Sequence, residues 1–208
     1  HQASFPTIKF VKTFPALNFE HGAPEDCCSD IKQKQTLTSM KKIGIFYGST
    51  TGTTAEVARR IAEVLGVADG DIHDVTESAP SQVAPYDVLV LGTSTWGDGE
   101  LQDGWMDFAD GLEELTLKGK DVALFGCGDE SMTDTFCSGV GELYARLQAT
   151  GARFIAPFNT IGYTFEHSKA KPDDALEAVG LLLDEVNHPE LTAPRIASWC
   201  TLILNQEK

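Results

Sequence analysis

Two hundred and eight residues fit one domain, or two at most. Apolar residues make up 42% and charged residues 23%, as in soluble globular proteins, and no uninterrupted apolar run approaches the ~18 residues a membrane span needs. Sixteen Lys and Arg against 31 Asp and Glu leave a formal charge of −15, a field that repels nucleic-acid phosphates and anionic lipid surfaces.

A basic protein partner fits that field better, as does a cofactor that must stay electron-poor. Residues 1–39 are neutral, with Lys9, Lys12, Lys32 and Lys34 against Glu20, Glu25, Asp26 and Asp30, so the whole excess of acid lies in 40–208. The first 39 residues show no sustained helical or strand period. The pattern predicts a leader or an added extension over 1–39 and a domain over 40–208, opening near Met40. Five cysteines (Cys27, Cys28, Cys127, Cys137 and Cys200) form no C-x-x-C pair and no metal-ligand spacing. Without a disulfide framework, a reducing compartment such as the cytoplasm is expected, or a plastid stroma if the source is an alga.

In chain order, Ile43–Tyr47 predicts a buried strand followed by a Gly/Ser/Thr turn. Ala55, Val57, Ala58, Ile61, Ala62 and Leu65 recur at helical spacing. Ile72–Val75 predicts a second strand and Asp87–Gly92 a third, the latter apolar on both sides as in a doubly covered sheet. Trp105–Leu115 suits a helix, Val122–Phe125 a fourth strand, and Asp134 a cap for a helix running to about Ala149. Phe154–Phe158 predicts a fifth strand, and helices are expected over Asp173–Asn187 and Thr192–Leu204. Alternating strands and helices imply a parallel sheet covered on both faces, with ligands beyond the carboxyl ends of its strands.

Three loops stand at those ends. Gly48-Ser49-Thr50-Thr51-Gly52-Thr53-Thr54 sets hydroxyls and flexible backbone at a helix N-terminus, an arrangement that suits a phosphate. A capped turn would need only one such residue. The loop has no Lys, so it is not a triphosphatase loop, and it lacks the G-x-G-x-x-G spacing for a pyrophosphate; a monophosphate ester remains. Thr93-Ser94-Thr95-Trp96-Gly97-Asp98-Gly99 presents an indole where a flat ligand could stack. From Asp98 to Glu114 seven acids and no Lys or Arg follow, either a solvated helix face or an electrostatic wall beside the site. In Gly126-Cys127-Gly128-Asp129, continuing through Met132 and Asp134, the glycines let backbone pass close to a ring. No His lies near Cys127 in sequence, so a structural thiol is expected there.

The ordered motifs Gly-Ser-Thr-Thr-Gly-Thr-Thr, Thr-Trp-Gly-Asp-Gly-Glu-Leu-Gln and Gly-Cys-Gly-Asp resemble flavodoxin over roughly residues 41–206. The segment Gly162–Ala170 leading to Leu191–Trp199 resembles the long-chain subgroup. The resemblance implies a flavodoxin-like α/β fold, a doubly wound five-stranded parallel sheet of order 2-1-3-4-5 with helices on both faces. It implies one non-covalent FMN and a low-potential one-electron carrier, shuttling between semiquinone and hydroquinone, rather than an enzyme. Ser49, Thr50, Thr51, Gly52, Thr53 and Thr54 would hold the phosphate. Thr93, Ser94, Thr95, Trp96, Gly97, Asp98 and Gly99 would line one side of the isoalloxazine, and Cys127, Gly128, Asp129, Met132 and Asp134 the other. Two positions depart from the family: Met132 aligns where a Tyr usually covers the ring, and Ile161 where long-chain members often place an Asp.

The resemblance further implies a monomer that docks to the basic face of a ferredoxin/flavodoxin-NADP reductase or another redox enzyme, and to photosystem I if the source is photosynthetic. Neither nucleic acid nor membrane insertion is expected. At ~8 Å and an effective dielectric of ~20, each acid of the 98–114 run would cost a fully reduced anionic ring roughly 2 kcal/mol. An FMN-dependent NAD(P)H:quinone reductase of the same fold is the alternative, and a flavin-free interaction module a second one.

Overall fold

The computed structural model describes residues 41–206; the expected leader, with Cys27 and Cys28, lies outside the described residues. Short runs too apolar to leave either face wet make a parallel sheet at its centre. They are β1 (Ile43–Tyr47), β2 (Ile72–Asp74), β3 (Val88–Trp96) and, after a short antiparallel β4 (Glu100–Leu101), β5 (Asp121–Cys127). The order is β2-β1-β3-β5, with Ile45 opposite Val90 and Val90 opposite Ala123. Successive side chains enter opposite cores. Leu89, Leu91, Val122 and Leu124 face one side, whereas Val88, Val90, Ala123 and Phe125 face the other.

On the first face lie α2 (Met106–Glu113) and α3 (Ser138–Leu147), which bury Phe108, Leu112, Val140 and Leu143. On the second lie α1 (Thr53–Leu65) and α4 (Pro189–Asn205), which bury Val57, Ile61, Ile196 and Trp199. Both buried indole nitrogens find a partner, as buried Trp requires. Trp105 Nε1 donates to the Gly92 carbonyl at 2.9 Å, and Trp199 Nε1 to that of Ala156 at 2.8 Å.

The fifth strand position corrects the expectation twice. Phe154–Phe158 does not form one strand. β6 (Arg153–Phe154) pairs with Asp121 and Val122, then Ala156 turns to φ 56° just before Pro157 and the chain leaves the sheet. It returns through the antiparallel pair β7 (Phe158–Asn159) and β8 (Glu177–Ala178) and completes the edge as β9 (Gly180–Leu183), parallel to Leu124–Cys127. The helix expected over Asp173–Asn187 is therefore two strands, β8 and β9, with turns on either side. Leu181, Leu182 and Leu183 also fit a helical stripe, but an unpaired β5 edge with apolar cores on both sides takes them as a strand. Gly180 permits the approach: a Cβ there would lie 2.1 Å from the Leu124 carbonyl oxygen.

One helix start also moves. Asp134 caps nothing, because α3 begins at Ser138 behind Cys137, which adopts φ 50°. The residues between are tight turns, Met132 N–H donating to Asp129 and Thr135 N–H to Met132. Among the described residues no helix is long and apolar enough to cross a membrane.

Candidate functional site

The loops after β1, β3 and β5 converge at the carboxyl edge of the sheet, where α1 and α3 begin. α1 has Gly52 as its N-cap at φ 91° and receives no side-chain cap. Its first-turn N–H groups, at Thr53, Thr54 and Ala55, have no intrahelical acceptor and point out of the helix end. The preceding turn is self-braced: Gly52 N–H donates to Ser49 Oγ at 3.1 Å, and Thr51 and Thr53 hydroxyls meet at 3.4 Å. A Cβ on Gly52 would meet nothing within 4 Å, so space lies open at the helix end. Free N–H groups, exposed hydroxyls and the positive end of a helix dipole suit an anion.

The second loop is a hairpin. Thr95 pairs with Leu101 and Trp96 with Glu100, and Gly99 N–H closes the turn on the Trp96 carbonyl at 3.0 Å. Gly97 takes φ 47° and Gly99 φ 96°, conformations that favour residues without a Cβ. Trp96 stays 38% exposed at the tip. The loop is fixed from below, since Gly139 N–H at the start of α3 donates to Thr95 Oγ1 at 3.1 Å.

The third loop is held from behind. Glu130 N–H donates to the buried Asp184 carboxylate at 2.8 Å, and the Thr133 carbonyl accepts from Glu166 and His167 N–H. Buried Phe136 packs on Phe165 at 5.1 Å between ring centres. Asp129 accepts from Ser131 N–H and Asn187 Nδ2, both at 2.8 Å, and these bonds, those of Ser131 first, lower its pKa. A cleft of about 80 Å³ separates this loop from the second, lined by Thr95, Gly97, Gly128, Asp129, Met132 and Phe136 among others. A wider cleft of about 440 Å³ opens outside it, bounded by Asp98, Ser131, Met132 and Asp134. Met132, 54% exposed, is the side chain common to both that can swing.

The structure sorts the expected residues. Ser49, Thr50, Thr51, Gly52 and Thr53 gather at the helix end, and Thr95, Gly97, Asp98, Gly128, Asp129, Met132 and Asp134 around the clefts, while Trp96 stays exposed on the hairpin and lines neither cleft. Gly99 instead packs on α3, where its Cβ would lie 2.9 Å from that of Ser138. Ser94 Oγ is buried with no partner among the described residues. Thr54, Thr93 and Cys127 turn inward, so any part they take falls to their backbone. Thr93 Oγ1 donates to its neighbour's carbonyl, Thr54 is 1% exposed, and burial pushes the Cys127 thiol up to about 12. The structural-thiol expectation for Cys127 agrees with its place in the α1/α4 core.

The acidic run divides as well. Asp98 and Glu100 belong to the hairpin, but Asp110 and Glu113 on α2 both pair with Arg146. Arg146 lies eight residues into α3, about 12 Å beyond the helix end that faces the clefts. Those two acids share one arginine at a distance from the clefts and form no wall beside the site. Sequence reasoning passed over Thr135, Phe136 and Cys137, which line the inner cleft just after Asp134. It also passed over Gln102, whose only signal was a polar residue at the end of a conspicuous motif.

Known proteins are similar to this chain in sequence and in fold. A family model described as flavodoxin matches residues 45–199. "Flavodoxin 1" of Shigella flexneri is 45% identical over 157 residues, covering 75% of this chain and 89% of the relative. The flavodoxin of Haemophilus influenzae is 40% identical over 168 residues, 80% and 96% of the respective chains. Among solved structures, Fusobacterium nucleatum flavodoxin bound to flavin mononucleotide superposes with a TM-score of 0.73 at 32% identity, covering 81% of this chain and 100% of that one.

Proposed function

The chain belongs to the flavodoxin family, and from that premise we propose that it binds one FMN non-covalently at the three loops and carries single electrons at low potential, cycling between the one-electron-reduced and fully reduced forms. The observation that carries this reading is the uncapped N-terminus of α1, with free N–H groups, open space beside Gly52 and the exposed residues Thr50, Thr51 and Thr53 in the same turn. A phosphate monoester fits that donor set, which holds no Lys and needs none. When bound, FMN supplies the redox chemistry; the chain binds and orients it.

Trp96 and Met132 flank the ring, with Met132 moving outward to widen the inner cleft. A thioether packs on an aromatic face more loosely than a phenol does, so Met132 gives a softer cover than the family's usual Tyr. The Gly97–Asp98 peptide sits in a turn whose first central residue is glycine, so its carbonyl can reorient at little steric cost and would be free to accept a hydrogen bond from a ring N–H of the bound cofactor. Asp98 and Asp129 keep negative charge at the clefts and would disfavour further negative charge on the ring.

The partner is a basic redox protein that docks over the same edge, in a small, charge-steered and brief contact. The test is titration of apoprotein with FMN. Quenching of FMN fluorescence at one equivalent is expected, and unquenched FMN overturns the reading. Turnover of NADPH and a quinone by the holoprotein alone would mark an enzyme instead.

A further inference from the structure

Gln102 leaves the second loop for the helix side of the molecule, yet its side chain reaches back to the first loop. It is buried, 4% exposed, and its Nε2 donates to Thr50 Oγ1 at 3.0 Å. Its amide lies in a slot that only glycines leave open. A Cβ on Gly48 would stand 2.5 Å from Oε1, and one on Gly104 2.9 Å from Oε1 and 3.2 Å from Nε2. The slot fixes the rotamer, and Oε1 ends there without a partner among the described residues. The reversed amide would leave two N–H hydrogens in the same slot without acceptors, which costs more than one idle carbonyl.

A threonine hydroxyl has one hydrogen. Because Thr50 Oγ1 already accepts from Gln102, its hydrogen must point away from the slot, and no other residue among those described takes it. Thr50 stands exposed in the loop, two residues before Gly52, the N-cap of α1 that receives no side-chain cap. We propose that Gln102 is a positioning residue for the phosphate of the bound cofactor, fixing the Thr50 hydroxyl as a donor toward the anion before the ligand arrives. The inference rests on the FMN reading and assigns this chain's phosphate selectivity to a side chain outside the loop that touches the phosphate. Preorganisation of this kind spares the rotor its ordering cost on binding.

The experiment compares FMN with riboflavin, which lacks the phosphate. Dissociation constants for both are measured by fluorescence quenching with wild type, Gln102→Leu, Thr50→Ala and the double variant. Gln102→Leu should weaken FMN about tenfold, the scale of one hydrogen bond to a charged group, and leave riboflavin within about twofold. Thr50→Ala should show the same selective loss, and the leucine should add little to it in the double variant. Equal losses for FMN and riboflavin, or full additivity of the two substitutions, overturn the proposal. Should Gln102→Leu not fold, the isosteric Gln102→Glu decides. Its carboxylate must accept from Thr50 and turn the hydroxyl lone pairs toward the phosphate, so its selective penalty on FMN should shrink once Thr50 is alanine; an undiminished penalty overturns the proposal. If wild type itself binds no FMN, the cofactor reading falls first, whereas normal wild-type binding with unaffected variants defeats this inference alone.

Discussion

Behind the third loop, Glu130 and Arg195 form a buried pair with incomplete contact. Glu130 Oε2 accepts from both the N–H and the hydroxyl of Thr164, at 2.9 and 2.7 Å, while Oε1 lies 3.7 Å from Arg195 Nη1 and neither of those atoms has a hydrogen-bond partner among the described residues. The guanidinium also lies 3.7 Å over the Tyr163 ring. Removing one member strands a buried charge, so Glu130→Ala should cost about 3 kcal/mol in denaturant unfolding. The double change Glu130→Gln with Arg195→Met should cost clearly less than the sum of the single changes. A fully additive pair would mean that the two charges do not interact. The thiols behave oppositely, as inert apolar groups. Burial pushes Cys127 and Cys200 up to about 12 and Cys137 well above its usual range. At pH 8 iodoacetamide should leave all three unlabelled in the folded protein, read by peptide mass; rapid labelling of any one would show that its core opens.

Among the elements, β9 is where local pattern and tertiary demand disagreed. Its Gly-Leu-Leu-Leu run satisfies either period, and no residue inside it forbids a helix. The decision came from β5, whose edge beyond Val122 is left unpaired when β6 ends at Phe154. Gly180→Ala should then cost about 3 kcal/mol, because the new methyl would meet the Leu124 carbonyl across the ladder and push the strands apart. Urea midpoints measure it, and an unchanged midpoint would mean that β9 does not pair so closely. By contrast α1 was legible because its apolar spacing is long enough to fit one period alone, and β1, β3 and β5 because their short apolar runs end in Gly/Ser/Thr turns. α3 was legible in kind but not in its start, since the turns between Asp129 and Cys137 are held by contacts with residues 164–167 that lie far off in sequence.

Across the whole molecule, the acidic charge acts on stability and on association. Burial raises the Asp184 pKa, but hydrogen bonds from Asn187 and from the N–H groups of Asn187, Glu130 and Val186 outweigh it and lower it. Asp121 follows the same balance, burial against its bonds to Arg153 and Lys41, and also ends low. An unfolded Asp titrates near ~3.9. The stabilisation from these carboxylates is therefore complete above about pH 5 and is lost as the pH falls through ~4 and on through their folded values. His73 adds an earlier loss. Burial lowers its pKa, so protons favour the unfolded chain once the pH drops below ~6.5. The urea midpoint should be level from pH 7 to 8, dip below ~6.5 and fall steeply below ~5. A midpoint that rises on acidification would refute that assignment. With a formal charge of −15, the association rate with a basic redox partner should fall as salt is added, and a salt-independent rate would exclude steering.

The sequence by itself determined the class of fold, the family resemblance and the three loops, because apolar period and glycine-hydroxyl turns are written in neighbouring residues. Tertiary structure decided which hydroxyls face outward, that Cys127 and Thr54 belong to the core, that Arg146 takes up two of the acids, that a helical-looking segment is a strand, and that Gln102 meets Thr50. Each of these joins residues tens of positions apart, and such contacts are set by which surfaces must be covered once the sheet has closed.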